Sequence, residues 1–188
     1  MGLNESIQRQ YRRVVSTMTP QPSGWNFVTS AGGDITLETP VVNVGAGISG
    51  GLIDVQNGSG PVQRLYYGGI GGGVGLGLVP SPIDIGFSIT AFPSYGVVYR
   101  MPAAGSTLSF NEFKGNCLFY QGGAQFGPGG SAVLMFTGAN PFIISMLPTT
   151  LQFMGIVALS HAAIAFAGMN ANLLPGEIGV SAMVGIMS

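Results

Sequence analysis

Between positions 115 and 188 this chain carries one charged side chain, Glu177; the first 114 residues hold the other twelve. Over that stretch lies an apolar run, residues 141–169, whose only polar side chains are Ser145, Thr149, Thr150, Gln152, Ser160 and His161. Such a segment must be hidden from water. Either it enters a bilayer, or it is a core element around which the rest of the chain folds.

Pro148 suits the first position of a helix, and residues 149–169 contain no proline. The spacing predicts a helix there, about 30 Å long at about 1.5 Å per residue, close to the thickness of a bilayer core. Gly155, Ala158, Ala162, Ala163, Ala165 and Ala167 make it slim. A membrane span lacks support from its flanks. No Lys or Arg borders the run to orient it, and no Trp or Tyr anchors its ends. Burial within strongly bent sheets is the favoured reading, since a helix buried all round is apolar all round. Insertion into a membrane only under some conditions is the remaining reading.

The centre of the chain has period two. Val44, Ala46, Ile48 and Leu52 alternate with Gly45, Gly47, Ser49 and Gly51, and a turn signal follows at Asn57-Gly58-Ser59-Gly60-Pro61. Next, Gly69, Gly71, Gly73, Gly75 and Gly77 take the odd positions, while Ile70, Val74, Leu76 and Leu78 take even ones. Successive strand side chains point to opposite faces, so one face of this strand is bare backbone. Glycine in a strand interior marks the close approach of another element, so this face is expected to be a packing surface. Further strands are expected over 83–89, 97–99 and 117–120, and residues 120–136 repeat the glycine-then-apolar texture. Residues 178–187 fit either a strand or a short helix.

Residues 4–18 read as an amphipathic helix. Leu3, Ile7, Tyr11, Val14, Val15 and Met18 fall near one stripe, Glu5, Arg9, Arg12 and Arg13 fall away from it, and Pro20 and Pro22 end it. Ile7, Arg9, Tyr11, Arg12 and Arg13 are the candidate contacts with a membrane or a partner. Charged residues also occupy the place where a signal peptide would need its apolar core. Synthesis in the cytoplasm without a signal peptide is therefore expected, followed by signal-independent secretion or membrane association.

The inventory for chemistry is poor. Cys117 is the one cysteine and His161 the one histidine, too few for a zinc site. The seven acids are Glu5, Asp34, Glu38, Asp54, Asp84, Glu112 and Glu177, and nothing in their spacing pairs two of them for acid–base work. Gly45, Gly47 and Gly50 locally resemble the dinucleotide-binding fingerprint of flavin and nicotinamide enzymes. The turn at 57–61 leaves no room for the helix of that fingerprint, and no acid stands about 20 residues on to hold a ribose. The glycines read instead as part of a strand. No catalytic residue, metal or cofactor is expected. A net charge of −1 offers no footprint for nucleic acid.

The expected architecture is a single, mainly β domain over residues 1–188. It is a rolled antiparallel sheet or small β-barrel formed by residues 25–138. An N-terminal amphipathic helix (1–20) and an apolar, largely helical C-terminal region (141–188) pack in or on it. The expected function is a non-enzymatic binding or structural module that assembles with itself or with a protein partner, because charge is only 7 % of the chain. The alternative is a membrane-active secreted bacterial effector or pore-forming protein whose C-terminal apolar helix inserts into a bilayer.

Overall fold

The computed structural model describes residues 19–38, 44–77, 83–84, 95–124, 129–170 and 177–188. Nine strands and two short helices follow one another: β1 (Gln21–Glu38), β2 (Val44–Asn57), β3 (Val62–Gly77), β4 (Ile83–Asp84), β5 (Tyr95–Arg100), β6 (Gly115–Ala124), β7 (Gly129–Thr137), α1 (Pro141–Ser145), α2 (Thr149–Leu159), β8 (Ala162–Asn170) and β9 (Glu177–Met187). All the pairings are antiparallel. The order β2-β3-β9-β6-β7-β8-β5-β1 closes through a β1–β2 pairing, and β4 adds to β1 alone. The result is a closed eight-stranded barrel, so the expected mainly β barrel is borne out. Closure removes the unpaired strand edges that a glycine-rich sheet would otherwise expose.

Local chemistry explains the β2–β3 hairpin. β2 and β3 are joined through Asn57–Gly60, where Gly58 adopts φ +53° and the Gly60 N–H donates to the Asn57 carbonyl. A positive φ suits glycine, which has no Cβ to clash. At this end of the barrel Asp54 faces Arg64, joined by Nε–Oδ1 and Nη2–Oδ2 bonds of 2.8 and 2.9 Å.

Inside the barrel, register places Gly71, Met183, Phe119, Met135, Ile164 and Val98 in one circumferential row across six strands. The five with side chains are buried. Large residues from neighbouring strands fill the lumen, so β3 contributes only backbone to this row. A Cβ at Gly71 would fall against the Ala182 carbonyl and 2.6 Å from the Met183 Cα, and one at Gly69 would lie 2.8 Å from Phe119 Cε1. The glycine face is a packing surface here.

The barrel end at which β1 starts is closed by residues 101–114, which include the 3-10 turns Pro102–Ala104 and Phe110–Phe113. Leu108 and Phe113 are buried in one cluster with Trp25, and Phe110 packs on its edge. The Trp25 indole N–H donates to the Leu108 carbonyl at 2.7 Å, and Thr137 Oγ1 donates to the Glu112 carbonyl.

The C-terminal helix departs from expectation. α2 ends at Leu159, and Ala162–Asn170 forms β8 between β7 and β5. The Ser160 hydroxyl donates to the Ile156 carbonyl, and Ser160 itself is extended. Beyond it the pattern becomes period two: Ile164 and Phe166 are buried in the lumen, while Ala165 and Ala167 lie on the other face. An eight-stranded barrel is just wide enough for its own side chains, so no helix fits within it. Accordingly α1 and α2 pack on the outer wall, with Ile144 and Ile156 over Leu118, Phe136 and Ala163. The terminal segment resolves as strand β9. The N-terminal amphipathic helix lies outside the described residues.

Candidate functional site: an uncharged apolar belt

The sequence places its described charges toward strand ends and one loop. Asp54 and Arg64 flank the β2–β3 turn, and Arg100, Glu112 and Lys114 belong to or border the closing segment. Glu38 ends β1, Glu177 starts β9 and Asp84 pairs with Thr36 near the end of β1. Asp34 stands four residues before the end of β1. Between these groups the walls of β6, β7 and β8 carry no charged residue, and neither do positions 65–77 of β3.

The outer face of this waist is apolar. Register aligns Ile48, Ile70, Val184, Leu118, Phe136, Ala163 and Tyr99 in one row round seven strands. Where α1 and α2 cover the row, Leu118, Phe136 and Ala163 are buried; where no described residue covers it, Ile48 is 61 % and Ile70 66 % exposed. Neighbouring rows add exposed Tyr66, Val97, Ile186 and Tyr95. The helices extend the apolar surface outward through Phe142, Met146, Phe153 and Met154, all exposed. Large apolar surface of this extent marks contact with a partner or a membrane.

Above the helices, the belt is indented by a groove of about 540 Å³, lined by Tyr95, Val97, Tyr120, Leu134, Ala165 and Ala167 among others. At the edge of the belt, the Asp54 carboxylate holds the Arg64 guanidinium firmly in its charged form, first through their hydrogen bonds and then through charge attraction. Arg64 is half exposed while the Asp54 side chain is largely buried.

The other residues singled out from sequence are dispersed. Cys117 is buried in the lumen. His161 joins α2 to β8: its backbone N–H donates to the Thr137 carbonyl, and its ring lies against the space beside Gly138. Its buried Nδ1 has no hydrogen-bond partner among the described residues. Among the described residues no group of three His, Cys, Asp or Glu side chains is placed to hold a metal. Gly45, Gly47 and Gly50 lie within β2, paired with Gly73, Gly71 and Gly68, and no helix follows them. The dinucleotide resemblance therefore ends at the glycines. Ile7, Arg9, Tyr11, Arg12 and Arg13 lie outside the described residues. Sequence reasoning missed the belt itself. Its signal was present in the apolar residues on the even positions of β3, opposite the glycines.

A protein of Pseudomonas aeruginosa, the toxin protein Tse4, is 30 % identical to this chain over 181 residues, covering 87 % of the chain and 85 % of the relative. The chain belongs to the Tse4 toxin family. No family model matches the chain, and no solved structure matches it.

Membership in the Tse4 family corrects the functional expectation. Kinship with a toxin fits the alternative, a secreted effector, better than a plain binding or structural module. The expectation that the chain is not an enzyme is overturned by the same finding. Toxins act by damaging a target, catalysis is one established route to damage, and a short inventory of titratable side chains does not exclude it. The expectation of a bacterial effector stands in its coarse form.

Proposed function

We propose that this chain is a secreted toxin that works on a lipid bilayer, with the uncharged outer belt of its barrel as the lipid-contacting surface. One observation carries this reading: a closed antiparallel barrel whose outer face is apolar where no described residue covers it. A closed barrel satisfies every backbone hydrogen bond between its own strands, which is the condition for entering hydrocarbon with β-structure. An even number of antiparallel strands and an apolar outward band are the features of barrels in membranes. β8 and β9, at nine and eleven residues, are long enough to traverse a bilayer core when tilted.

The helical route to the membrane is corrected at the same time. No helix among the described residues is long and apolar enough to cross a membrane. α2 has 11 residues, about 16 Å, roughly half of a bilayer core. Its apolar residues face both ways: Ile156 packs on the barrel and Phe153 meets the Phe136 ring edge-on, while Leu151 and Met154 are exposed. In this proposal α1 and α2 stay packed on the barrel wall over the row they cover and do not cross the bilayer by themselves. This proposal puts lipid on the belt in place of the protein partner or second copy anticipated from the low surface charge.

The test is release of dye from vesicles of phosphatidylethanolamine and phosphatidylglycerol by the purified chain. Ile70 sits at mid-strand on the exposed side of β3. Ile70→Arg is expected to reduce release at least about 10-fold, because arginine on the lipid face costs about 2–4 kcal/mol near the bilayer centre. The variant should keep the parent's circular dichroism, since the position is open in water. Undiminished release by a folded Ile70→Arg variant would remove the outer belt from the mechanism.

A further inference from the structure

The α1–α2 hairpin brings polar groups onto an otherwise apolar wall. Between it and strands β6 and β9 lies a cleft of about 400 Å³, with Leu118 and Val184 on its apolar side and Tyr120, Ser145, Thr149 and Gln152 as its polar groups. Leu118 and Val184 pair across β6 and β9 within the apolar row of the belt. Leu118 is buried under the hairpin and Val184 is exposed, so the cleft opens inside the belt and not at its edge. The hairpin holds these groups in place. Gly155 lets its two helices close, since a Cβ there would fall against the Leu147 side chain and 3.2 Å from Ile144 Cδ1. The polar groups are only partly paired. The Ser145 hydroxyl donates to the Phe142 carbonyl, and Gln152 Nε2 donates to the Leu147 carbonyl at 3.2 Å. Among the described residues the Thr149 hydroxyl and Gln152 Oε1 have no partner. Residues 146–148, between the helices, belong to neither a helix nor a strand.

We propose that, in the membrane, a second copy of the chain docks on this hairpin, the two clefts facing each other across a two-fold axis. The inference rests on the belt being the lipid-contacting surface. In water the solvent serves the polar groups of the cleft. In hydrocarbon nothing serves them, because acyl chains neither donate nor accept hydrogen bonds. Irregular backbone such as residues 146–148 is tolerated at membrane depth only where protein or a water-filled cavity covers it. The headgroups lie beyond the belt and do not reach a cleft that opens within it.

Charge complementarity favours a second copy as the occupant. Residues 141–169 carry no charge, so two hairpins approach without repulsion. The Gln152 amide both donates and accepts, and so do the Ser145 and Thr149 hydroxyls. The surface is therefore complementary to itself, which a two-fold interface requires. Neutral polar side chains of this kind hold elements together in membranes by hydrogen-bonding across the contact. Exposed apolar residues border the cleft, Phe142 and Met146 on the hairpin and Ile186 on β9, and they pack round the polar seam. The exposed walls of β2 and β3 stay with lipid.

The experiment uses the full chain with one added cysteine, at low density in vesicles of phosphatidylethanolamine and phosphatidylglycerol. Vesicles are floated to isolate the bound protein and oxidised with copper–phenanthroline. Cys117 is buried and leaves the background low. Thr149→Cys stands exposed at the cleft, and Ile48→Cys stands exposed on β2, across the ring from β7. Thr149→Cys is expected to give at least about 5-fold more disulfide-linked dimer than Ile48→Cys. Adding Gln152→Leu to Thr149→Cys is expected to lower that yield about 5-fold, the scale of one polar contact between elements in a membrane. If Thr149→Cys in the floated fraction links no better than Ile48→Cys, or if Gln152→Leu leaves its yield unchanged, the pairing is overturned and the belt stands. A chain that does not float with the vesicles overturns the belt reading and the pairing with it.

Discussion

A chain carrying Gly71→Val is expected to unfold at markedly lower denaturant, with a loss of about 3 kcal/mol, at the upper end of the usual overpacking range. Two obstacles meet the new side chain. The Met183 side chain is flexible and can yield. The Ala182 carbonyl and the Met183 Cα belong to the backbone of the adjacent strand, and they cannot move without shifting β9 against β3. Because β9 also pairs with β6, such a shift propagates round the barrel. Gly68 supplies the control, since a Cβ there meets nothing within 4 Å. Gly68→Ala should therefore melt within about 0.5 kcal/mol of the parent, as substitutions free of such clashes do. Equal midpoints for Gly71→Val and Gly68→Ala would show that the bare face of β3 is not packed.

Trp25→Ala should be costlier still, about 4 kcal/mol, within the range for deleting a buried aromatic side chain. The indole does three things at once. It fills the closed end of the lumen at 5 % exposure, and it meets the Phe113 ring edge-on at 5.3 Å between centroids. It also satisfies the Leu108 carbonyl, which belongs to the segment that closes the barrel. Removing it leaves a cavity and frees the closing segment together, so equilibrium unfolding should lose amplitude as well as midpoint. Trp25→Phe separates the parts. It keeps most of the packing, forfeits the bond to Leu108, and should cost about 1–2 kcal/mol. If Trp25→Ala unfolds within about 1 kcal/mol of the parent, the segment does not depend on Trp25 for its hold.

The sequence by itself determined the strand-rich character of this protein and several of its elements. Alternation over 44–52 and 69–77, with a glycine turn between them, specified the β2–β3 hairpin, because a period of two has only one backbone conformation that uses it. The odd-numbered glycines announced a close approach, and Phe119 approaches at Gly69 and Met183 at Gly71. The Tse4 kinship was not legible from residue patterns, because the relative is matched over most of the chain's length and not through a short motif.

Tertiary structure decided the rest. Residues 160–169 are rich in alanine, and alanine is compatible with a slim helix as well as with the small-residue face of a strand. The choice fell to β because the gap between β7 and β5 requires a strand to close the ring of hydrogen bonds, while the lumen has no width for a helix. The same closure turned one side of every strand outward. Ile70 and Ile48, which a sequence reader assigns to a core, are exposed, because a barrel has one inside, and that inside was already filled by Phe119, Met135, Ile164 and Met183. Which apolar face is buried is a property of the closed ring and of the volume within it, and no single strand's sequence contains that volume.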